Sequence, residues 1–229
     1  MLALTLLALV AAAPGHAGPS ATSLVCIPFV ATAPTVDGHI APGEWSAAAA
    51  TCGFRSNATG LPAGAPTVVY ACYDAEALYC LFVAEGEPAE RLQGEAGERD
   101  SAIWSGSLVE LFIAPASWPL TRYAHLMVSH TGTIADEMAS ETGRELAWNP
   151  DWRHAVGTEG GAWIAELAMP WAGIELRSVG AGDSFRVNFA RNAAVVDEIT
   201  TWAPVLGGFH HPEQFGELVL GGAGPAAQI

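Results

Sequence analysis

LVELFI, at residues 108–113, is the stretch from which the fold class follows. Its apolar positions Val109, Leu111 and Ile113 alternate with Glu110, and side chains two residues apart share one face of a β-strand. One face of this strand is therefore suited to a core, while the other carries a carboxylate. The alternation predicts a half-buried strand in a sheet that covers a core on one side.

Two further stretches repeat the pattern. His125 and Met127 alternate with apolar neighbours, and in residues 185–191 the polar side chains of Arg186 and Asn188 do the same. The second face of the predicted sheet thus holds hydrogen-bonding groups, and it differs from an ordinary solvated face of Lys and Glu.

Short runs rich in Val, Ile, Phe and Tyr, each followed by a turn cluster, recur along the chain and are typical of a sandwich or barrel. They lie at residues 26–31, 67–73, 78–85, 108–114, 123–129, 154–159, 162–168, 184–190 and 216–220. Short helical turns are predicted at residues 41–49 and 170–174, and no long amphipathic helix is apparent. The 229 residues are predicted to form one all-β domain.

The charge of the chain excludes whole classes of partner. It has 24 acidic residues against nine Arg and no Lys, which gives a net charge of -15. Such a chain repels phosphate backbones and anionic lipid surfaces. Nucleic acid and membrane surfaces are therefore not expected as partners, and the oligomeric state stays open.

The N-terminus has the character of an export signal. Residues 2–13 are a continuous apolar run, and small residues follow Pro14 where a signal peptidase cuts. The run is too short to span a membrane. We expect a signal peptide at residues 1–17, an N-terminal extension at 18–32, the domain at 33–220 and a tail at 221–229, in a protein that is secreted or held in the periplasm or cell envelope.

Four cysteines remain, and an even number in an exported chain favours disulfides. Cys72 and Cys80 flank a turn, so the sequence predicts a bridge between them across a hairpin and a second bridge between Cys26 and Cys52. The alternative is free thiols that behave as small hydrophobic side chains.

An ordered series of fragments gives the chain a family resemblance. The fragments are APTVDG at 33–38 with GEW at 43–45, YD at 73–74, LY at 78–79, Trp104 with VELFI at 109–113, WIAE at 163–166 with MPW at 169–171, RVNFAR at 186–191, Trp202, and HP at 211–212 with FG at 215–216. Over residues 33–220 the chain resembles the family 9 carbohydrate-binding modules and their DOMON-like relatives.

The resemblance implies a two-sheet antiparallel β-sandwich that binds a sugar chain end between two Trp side chains, with polar groups around the hydroxyls. Trp104, six residues before Glu110, matches one Trp and a sugar-binding carboxylate of that family, and Trp202 is the counterpart of the second Trp. The polar second face adds Asn188, Arg186 and His125 as carbohydrate-binding candidates.

No constellation points to catalysis. The acidic pairs Asp136-Glu137 and Asp197-Glu198 are adjacent residues, and adjacent strand residues point to opposite faces, which suits neither acid/base pair of a glycosidase. No GxSxG, HExxH or Cys-His arrangement is present. We expect a non-catalytic module that accompanies polysaccharide-degrading enzymes.

Cofactors are not required by this interpretation, although two remain open. Calcium prefers hard oxygen ligands near turns, and the candidates are Asp37, Glu44 and Asp74. The adjacent pair His210-His211 could also chelate a metal, although the resemblance explains its segment structurally.

Haem is the other open cofactor, because some DOMON-type sandwiches hold b-type haem between an axial Met and a His or Lys. Met127 lies close to His125 and His130, and Met138 and Met169 are further candidates. The alternative functions are thus a haem-binding or electron-transfer domain, or a cell-envelope scaffold without a small-molecule ligand.

Overall fold

The computed structural model of the chain describes residues 23–223, so the predicted signal peptide and the end of the predicted tail lie outside it. The strands are β1 Leu24–Phe29, β2 Ala49–Thr51, β3 Arg55–Ser56, β4 Thr67–Tyr73, β5 Ala77–Ala84, β6 Leu108–Pro115, β7 Tyr123–Ser129, β8 Ile134–Ser140, β9 Gly143–Glu145, β10 Arg153–Glu159, β11 Ala162–Pro170, β12 Ser184–Ala193, β13 Glu198–Thr201 and β14 Gly216–Ala223. Short 3₁₀ helices lie at Ala89–Arg91, Trp171–Ile174, Ala194–Val196 and Pro212–Gln214.

The strands form a β-sandwich made from one curled sheet. Hydrogen bonds join eleven of them in the order β10-β11-β5-β4-β1-β14-β12-β6-β7-β8-β9, while β2 pairs with β4, and β13 pairs with β12 and β3. The two halves of this path face each other: Phe82 of β5 meets Phe189 of β12 edge-on with ring centroids 5.8 Å apart, and both side chains are fully buried. The predicted all-β sandwich is confirmed.

The first strand departs from the predicted antiparallel arrangement. β1 lies between β4 and β14 and runs parallel to both, whereas the other strand pairs in residues 23–223 are antiparallel. Parallel neighbours need a long connection, and nearly the whole domain separates β1 from β14. The predicted N-terminal extension at 18–32 thus contributes a strand that joins the two halves of the sheet.

The core lies between the two halves and is built by the alternation seen in the sequence. Its buried side chains include the apolar positions of all three patterned stretches: Val109, Leu111, Ile113, Leu126, Val128, Phe185, Val187 and Phe189. Removing this much apolar surface from water is the main stabilising contribution to such a fold. The opposite face of β6, β7 and β12 is therefore the one left to carry polar groups.

Five strands were not anticipated: β2, β3, β8, β9 and β13. β8 contains the adjacent charges Asp136 and Glu137, and β13 has only the four residues EITT at Glu198–Thr201, so neither shows a clear apolar alternation. The helical turn expected at 170–174 is present as Trp171–Ile174, and hydrogen-bonded turns occupy residues 42–48. No helix within residues 23–223 has the length and apolar character needed to cross a membrane.

The predicted disulfides are not formed, and all four cysteines are free thiols. In the hairpin of β4 and β5, Cys72 pairs with Tyr79 and Cys80 pairs with Ala71. The two cysteines are therefore one register position apart and point to opposite faces of the sheet. Cys72 packs into a cluster on the outer side and Cys80 into the main core, so the proposed bridge between them is wrong. Cys26 and Cys52 are exposed and unbridged.

The three carboxylates considered for calcium serve separate turns. The side chain of Asp37 accepts the His39 amide, and that of Glu44 accepts the amides of Thr35 and Ala41. The carboxylate of Asp74 accepts the amides of the β4–β5 turn and the Tyr79 hydroxyl. The structure does not bring the three together as a ligand set among the described residues.

Candidate functional site

Three ionisable side chains lie side by side on the outer face of β6, β7 and β8. His125 of β7 pairs with Glu137 of β8. Glu110 of β6 pairs with Met127, which lies two residues along β7 from His125 and therefore on the same face. Because the inner face of these strands is in the core, the pleat directs all three side chains outward. They are nevertheless buried, since residues after β13 fold back over this face.

His125 is hydrogen-bonded on both ring nitrogens. Its Nε2 lies 2.6 Å from Glu110 Oε2 and its Nδ1 lies 3.0 Å from Glu137 Oε1. The ring also stacks on Phe112 at a centroid distance of 3.9 Å. These contacts on both edges and on one face fix the orientation of the ring. The positions of the two carboxylates bonded to it are fixed as well.

The environment favours a charged imidazole. Burial lowers the pKa of His125, but the hydrogen bonds and negative charges of Glu110 and Glu137 outweigh it and raise the pKa above its ordinary value. Burial raises the pKa of Glu137, and this is outweighed by the hydrogen bond and charge of His125 and by the charge of Arg144, so the net direction is down. The group is therefore an ion cluster with two carboxylates and two cations.

The second cation, Arg144, comes from the edge strand β9. Its guanidinium donates to Glu137 Oε1 at 3.3 Å and to His210 Nε2 at 3.0 Å. Because a guanidinium can only donate, Nε2 of His210 is the acceptor and Nδ1 carries the proton, which it donates to the Tyr123 hydroxyl at 2.8 Å. Burial, together with the charges of His125 and Arg144, lowers the pKa of His210 to about 4.

Trp104 stands exposed at the mouth of this cluster, with 61% of its surface accessible. Its backbone carbonyl accepts a hydrogen bond from Asn192 Nδ2 at 3.0 Å. Two residues later the chain passes close to Gln93: a Cβ on Gly106 would come within 2.6 Å of the Gln93 carbonyl oxygen. Only glycine allows this approach. The hydrogen bond from Asn192 and the close packing at Gly106 therefore fix the backbone around Trp104, while the indole ring of Trp104 faces solvent.

A buried ion pair supports the same segment from beneath. Arg191 donates to Glu87 Oε2 at 2.9 Å, and the other oxygen of Glu87 accepts the Ser107 hydroxyl at 2.7 Å. Both charged side chains are fully buried. A pair of this kind is costly to break, because either partner alone is a buried unpaired charge.

Together these residues line a cleft of about 520 Å³. The walls are formed by Asp100, Trp104, Glu110, His125, Met127, Ala135, Glu137, Arg144, Leu146, Asn192, Ile199, Phe209 and His210. The volume is within the usual range for a small-molecule site, as is the mixture of apolar walls with a few convergent polar groups. The structure thus brings together three of the predicted residues, Trp104, Glu110 and His125.

Trp202 is not part of the cleft, and its expected place opposite Trp104 is corrected by the structure. Only 6% of its surface is exposed, and its ring packs on Phe189 in the core at a centroid distance of 5.6 Å. Its edge lies against Gly216, where a Cβ would come within 2.5 Å of the ring. The indole closes the core beside β14, because it faces the inner side of the sandwich.

Arg186 and Asn188 are on the expected face but are committed elsewhere. Arg186 donates to the carbonyls of Trp118 and Pro119 at the far end of the sheet. The side chain of Asn188 is fully buried and exchanges hydrogen bonds with the backbone of Ala203. Both side chains tie loops to the sheet, and neither lines the cleft.

The sequence interpretation missed Glu137 and Arg144 as members of the site, and it considered His210 only as a metal chelator with His211. Glu137 could have been found from the sequence. Asp136 and Glu137 point to opposite faces, as expected for neighbours on a strand, so one of the two carboxylates must lie on the outer face. The Asp136 carboxylate accepts Arg99 and Trp152, which leaves Glu137 facing His125. Arg144 and His210 have no such local signal, because their positions depend on how β9 and the segment after β13 fold over the sheet.

The haem alternative finds no support in this geometry. Each ring nitrogen of His125 is hydrogen-bonded to a carboxylate, so an axial bond to haem iron would require one of these carboxylates to move away. Met138 and Met169 are buried in the core between the two halves of the sheet. Met127 lines the cleft together with His125, whose two ring nitrogens are both hydrogen-bonded, and His130 is not part of the lining.

The family of the chain follows from its sequence match over the same strands. A family model described as "Carbohydrate family 9 binding domain-like" matches residues 36–223, which include every strand that builds the cleft. The chain belongs to this family. No curated protein matches this family 9 domain significantly.

Solved structures share its fold at low sequence identity. A Bacteroides uniformis protein proposed to bind carbohydrate superposes with a TM-score of 0.70 at 15% identity, covering 87% of this family 9 domain's chain and 100% of its own. A family 9 module from Caldicellulosiruptor kristjanssonii in complex with cellotriose has a TM-score of 0.63 at 14% identity, covering 90% and 98%. The same organism's module in complex with glucose has a TM-score of 0.62 at 14% identity, covering 90% and 100%.

Proposed function

We propose that the chain is an exported, non-catalytic sugar-binding module and that the sugar occupies the cleft beneath Trp104. The observation that carries the proposal is an exposed indole held over a row of oriented, buried polar groups. Family membership supports it independently, and the apolar run at residues 2–13 supports export.

The cleft offers the two kinds of contact that a pyranose needs. Its C–H patches stack on an aromatic face, and Trp104 presents one. Its hydroxyls need fixed donors and acceptors, which Glu110 and Arg144 provide. If the indole covers about 50 Å² of apolar sugar surface at about 25 cal/mol per Å², it contributes roughly 1.3 kcal/mol. Charge-assisted hydrogen bonds contribute about 1.5–3 kcal/mol each, so the polar groups carry most of the affinity.

The opposite wall of the cleft is aliphatic and aromatic but contains no second Trp. Leu146, Ile199 and Phe209 line it, and the first two are largely exposed. One indole platform with a polar floor is expected to give binding of roughly millimolar to micromolar strength once the cost of association is subtracted. Since structural relatives hold cellotriose and glucose, these two sugars are the first ligands to test.

Calorimetric titration of the mature chain with glucose and cellotriose, followed by a glycan array, tests the proposal. Trp104→Ala is expected to weaken binding by ~1–2 kcal/mol, about five- to thirty-fold, through loss of the stacking face. Glu110→Gln keeps the shape but removes the charge, and it is also expected to weaken binding while the melting curve stays cooperative.

Matched controls are available away from the cleft. Leu120→Ala removes another exposed apolar side chain, and Glu217→Gln neutralises an exposed carboxylate on β14; both should leave affinity unchanged. If no sugar on the array binds, or if Trp104→Ala binds as the unaltered chain does, the proposed function at this cleft is wrong.

A further inference from the structure

His125, Glu137 and His210 form a compact group of metal-ligating side chains. One ligand atom from each can be chosen so that all three lie within 4.8 Å of one another. His125 Nδ1 is 3.0 Å from Glu137 Oε1, and His210 Nδ1 is 4.0 Å from the same oxygen. Two ligands of one tetrahedral Zn²⁺ lie ~3.4 Å apart, given bonds of ~2.1 Å. The measured separations fall on either side of that value.

The surroundings of His125 resemble the outer shell of a metal site. A metal-bound imidazole usually donates its other N–H to a carboxylate, which fixes the ring and its tautomer. Glu110 accepts from His125 Nε2 at 2.6 Å, and Phe112 stacks on the ring. Nδ1 is thereby directed toward Glu137, with no rotation of the ring required to bind an ion between them.

A cation already bridges the other two ligands. The Arg144 guanidinium donates through the same nitrogen, NH1, to Glu137 Oε1 and to His210 Nε2. Arg144 is on the three-residue edge strand β9, and its side chain is 54% exposed. It can therefore move into solvent without unfolding anything. Its departure frees Glu137 Oε1 and lets the His210 proton move from Nδ1 to Nε2, which leaves Nδ1 unprotonated to bind an ion.

We propose that His125, Glu137 and His210 bind a divalent transition-metal ion of the Zn²⁺ type, in competition with the guanidinium of Arg144. Two imidazoles and one carboxylate suit Zn²⁺ and its neighbours, whereas Ca²⁺ requires six to eight oxygen ligands and Mg²⁺ an octahedral oxygen shell. Three protein ligands leave a fourth position for water, and this position opens into the cleft. The site is separate from the carboxylates Asp37, Glu44 and Asp74.

The test is a calorimetric titration of the EDTA-treated mature chain with Zn²⁺ and no sugar, so that the result does not depend on sugar binding. All variants carry Cys26→Ser and Cys52→Ser, which removes the exposed thiols as competing ligands. One Zn²⁺ per chain is expected, with His210→Ala weakening it at least about thirty-fold and Glu137→Gln about ten- to one-hundred-fold. Ca²⁺ and Mg²⁺ should not compete.

Two further variants make the test specific. His211→Ala removes the neighbouring exposed His, which pairs with Glu213 outside the cluster, and it should bind Zn²⁺ as the parent does. Arg144→Gln removes the competing cation and should bind Zn²⁺ more tightly than the parent. Melting curves with and without Zn²⁺ provide a second readout, because the ion should raise the Tm of the parent and of His211→Ala but not of His210→Ala.

Failure of the Arg144→Gln variant to bind one Zn²⁺ would overturn the proposal. So would equal loss of affinity in His210→Ala and His211→Ala, which would indicate adventitious binding to surface histidines. Unchanged Zn²⁺ affinity in Glu137→Gln would overturn it as well.

Discussion

Two tryptophans that look equivalent in the sequence have opposite roles. Trp104 is 61% exposed and is held through its backbone, whereas Trp202 is 6% exposed and is held through its ring. The difference arises from the partners: Trp104 contacts Asn192 through its carbonyl, while Trp202 packs on Phe189 and leaves no room for a side chain at position 216. Residue type alone therefore does not separate a binding platform from a core side chain.

Replacing these two residues by Ala separates the roles by measurement. Trp202→Ala removes a buried indole and is expected to lower the free energy of unfolding by about 3–5 kcal/mol. Trp104→Ala removes an exposed ring and should change it by less than about 1 kcal/mol. Urea unfolding of both variants measures the two values. Equal losses of stability would contradict the placement of Trp202 in the core and of Trp104 at the surface.

At the scale of the element, the β4–β5 hairpin shows how a turn sets a register. The Asp74 carboxylate accepts the amides of Glu76 and Ala77, and this turn pairs Tyr73 with Leu78. Cys72 and Cys80 are thereby displaced from each other by one position. By itself, the period-2 pattern is compatible with a register that pairs Cys72 with Cys80 and with the observed one. The expected bridge therefore depended on a turn geometry that the sequence pattern did not specify.

The hairpin register predicts the redox state of its cysteines. Peptide mapping of the unfolded, alkylated protein, with no reductant, should recover Cys72 and Cys80 as separate modified thiols. In the native protein they should resist alkylation, because both are buried and burial, with the charge of Asp74, raises the pKa of Cys72 to about 12. The exposed Cys26 and Cys52 should react and serve as the internal control. A peptide that links Cys72 to Cys80 would show that the register is wrong.

At the scale of the whole molecule, the cleft is assembled from distant parts of the chain. Its floor comes from the adjacent strands β6, β7 and β8, and its mouth from the segment before β6. The remaining walls come from β9 and the residue after it, from β12 and β13, and from the segment after β13. Within a chain of net charge -15, the cluster pairs Glu110 and Glu137 with His125 and Arg144. Local pairing with these two side chains offsets part of the cost of burying the two carboxylates.

The acid stability of the domain should depend in part on His154 of β10. Its Nε2 donates to the Gly132 carbonyl at 3.0 Å, and burial, aided by the charge of Arg99, lowers its pKa below the ordinary value of 6.5. The folded state therefore favours the neutral ring. The contribution is fully present above pH 6.5, the ordinary pKa of His, and is lost as the pH falls from there through the folded-state pKa.

Comparison with His154→Gln isolates this contribution, because the amide keeps a donor but does not titrate. Urea unfolding at pH 7 and near pH 5 should show a larger loss of stability in the parent than in the variant. The other ionisable groups are the same in both proteins and cancel in the difference. An equal loss in the two proteins would show that His154 is not held neutral by the fold.

The sequence by itself determined the fold class, the inner face of the central strands and the core of the site. Alternation at 108–113 and 185–191 depends only on the period of the strand, so the buried side of each strand and the outward direction of Glu110 and His125 could be inferred locally. The ordered series of fragments over residues 33–220 carried the family resemblance, and the family match over residues 36–223 confirmed it.

Only the tertiary structure decided which outward groups meet. Glu137 lies on a strand with little apolar alternation, Arg144 on a three-residue strand, and His210 in a segment without regular structure. Their contacts span separations of up to 87 residues. The burial of Trp202 and the separation of the cysteines were likewise decided only by the tertiary structure. Their places depend on chain crossings and on single-residue registers, which arise from packing of the whole sandwich and leave no local periodic signal.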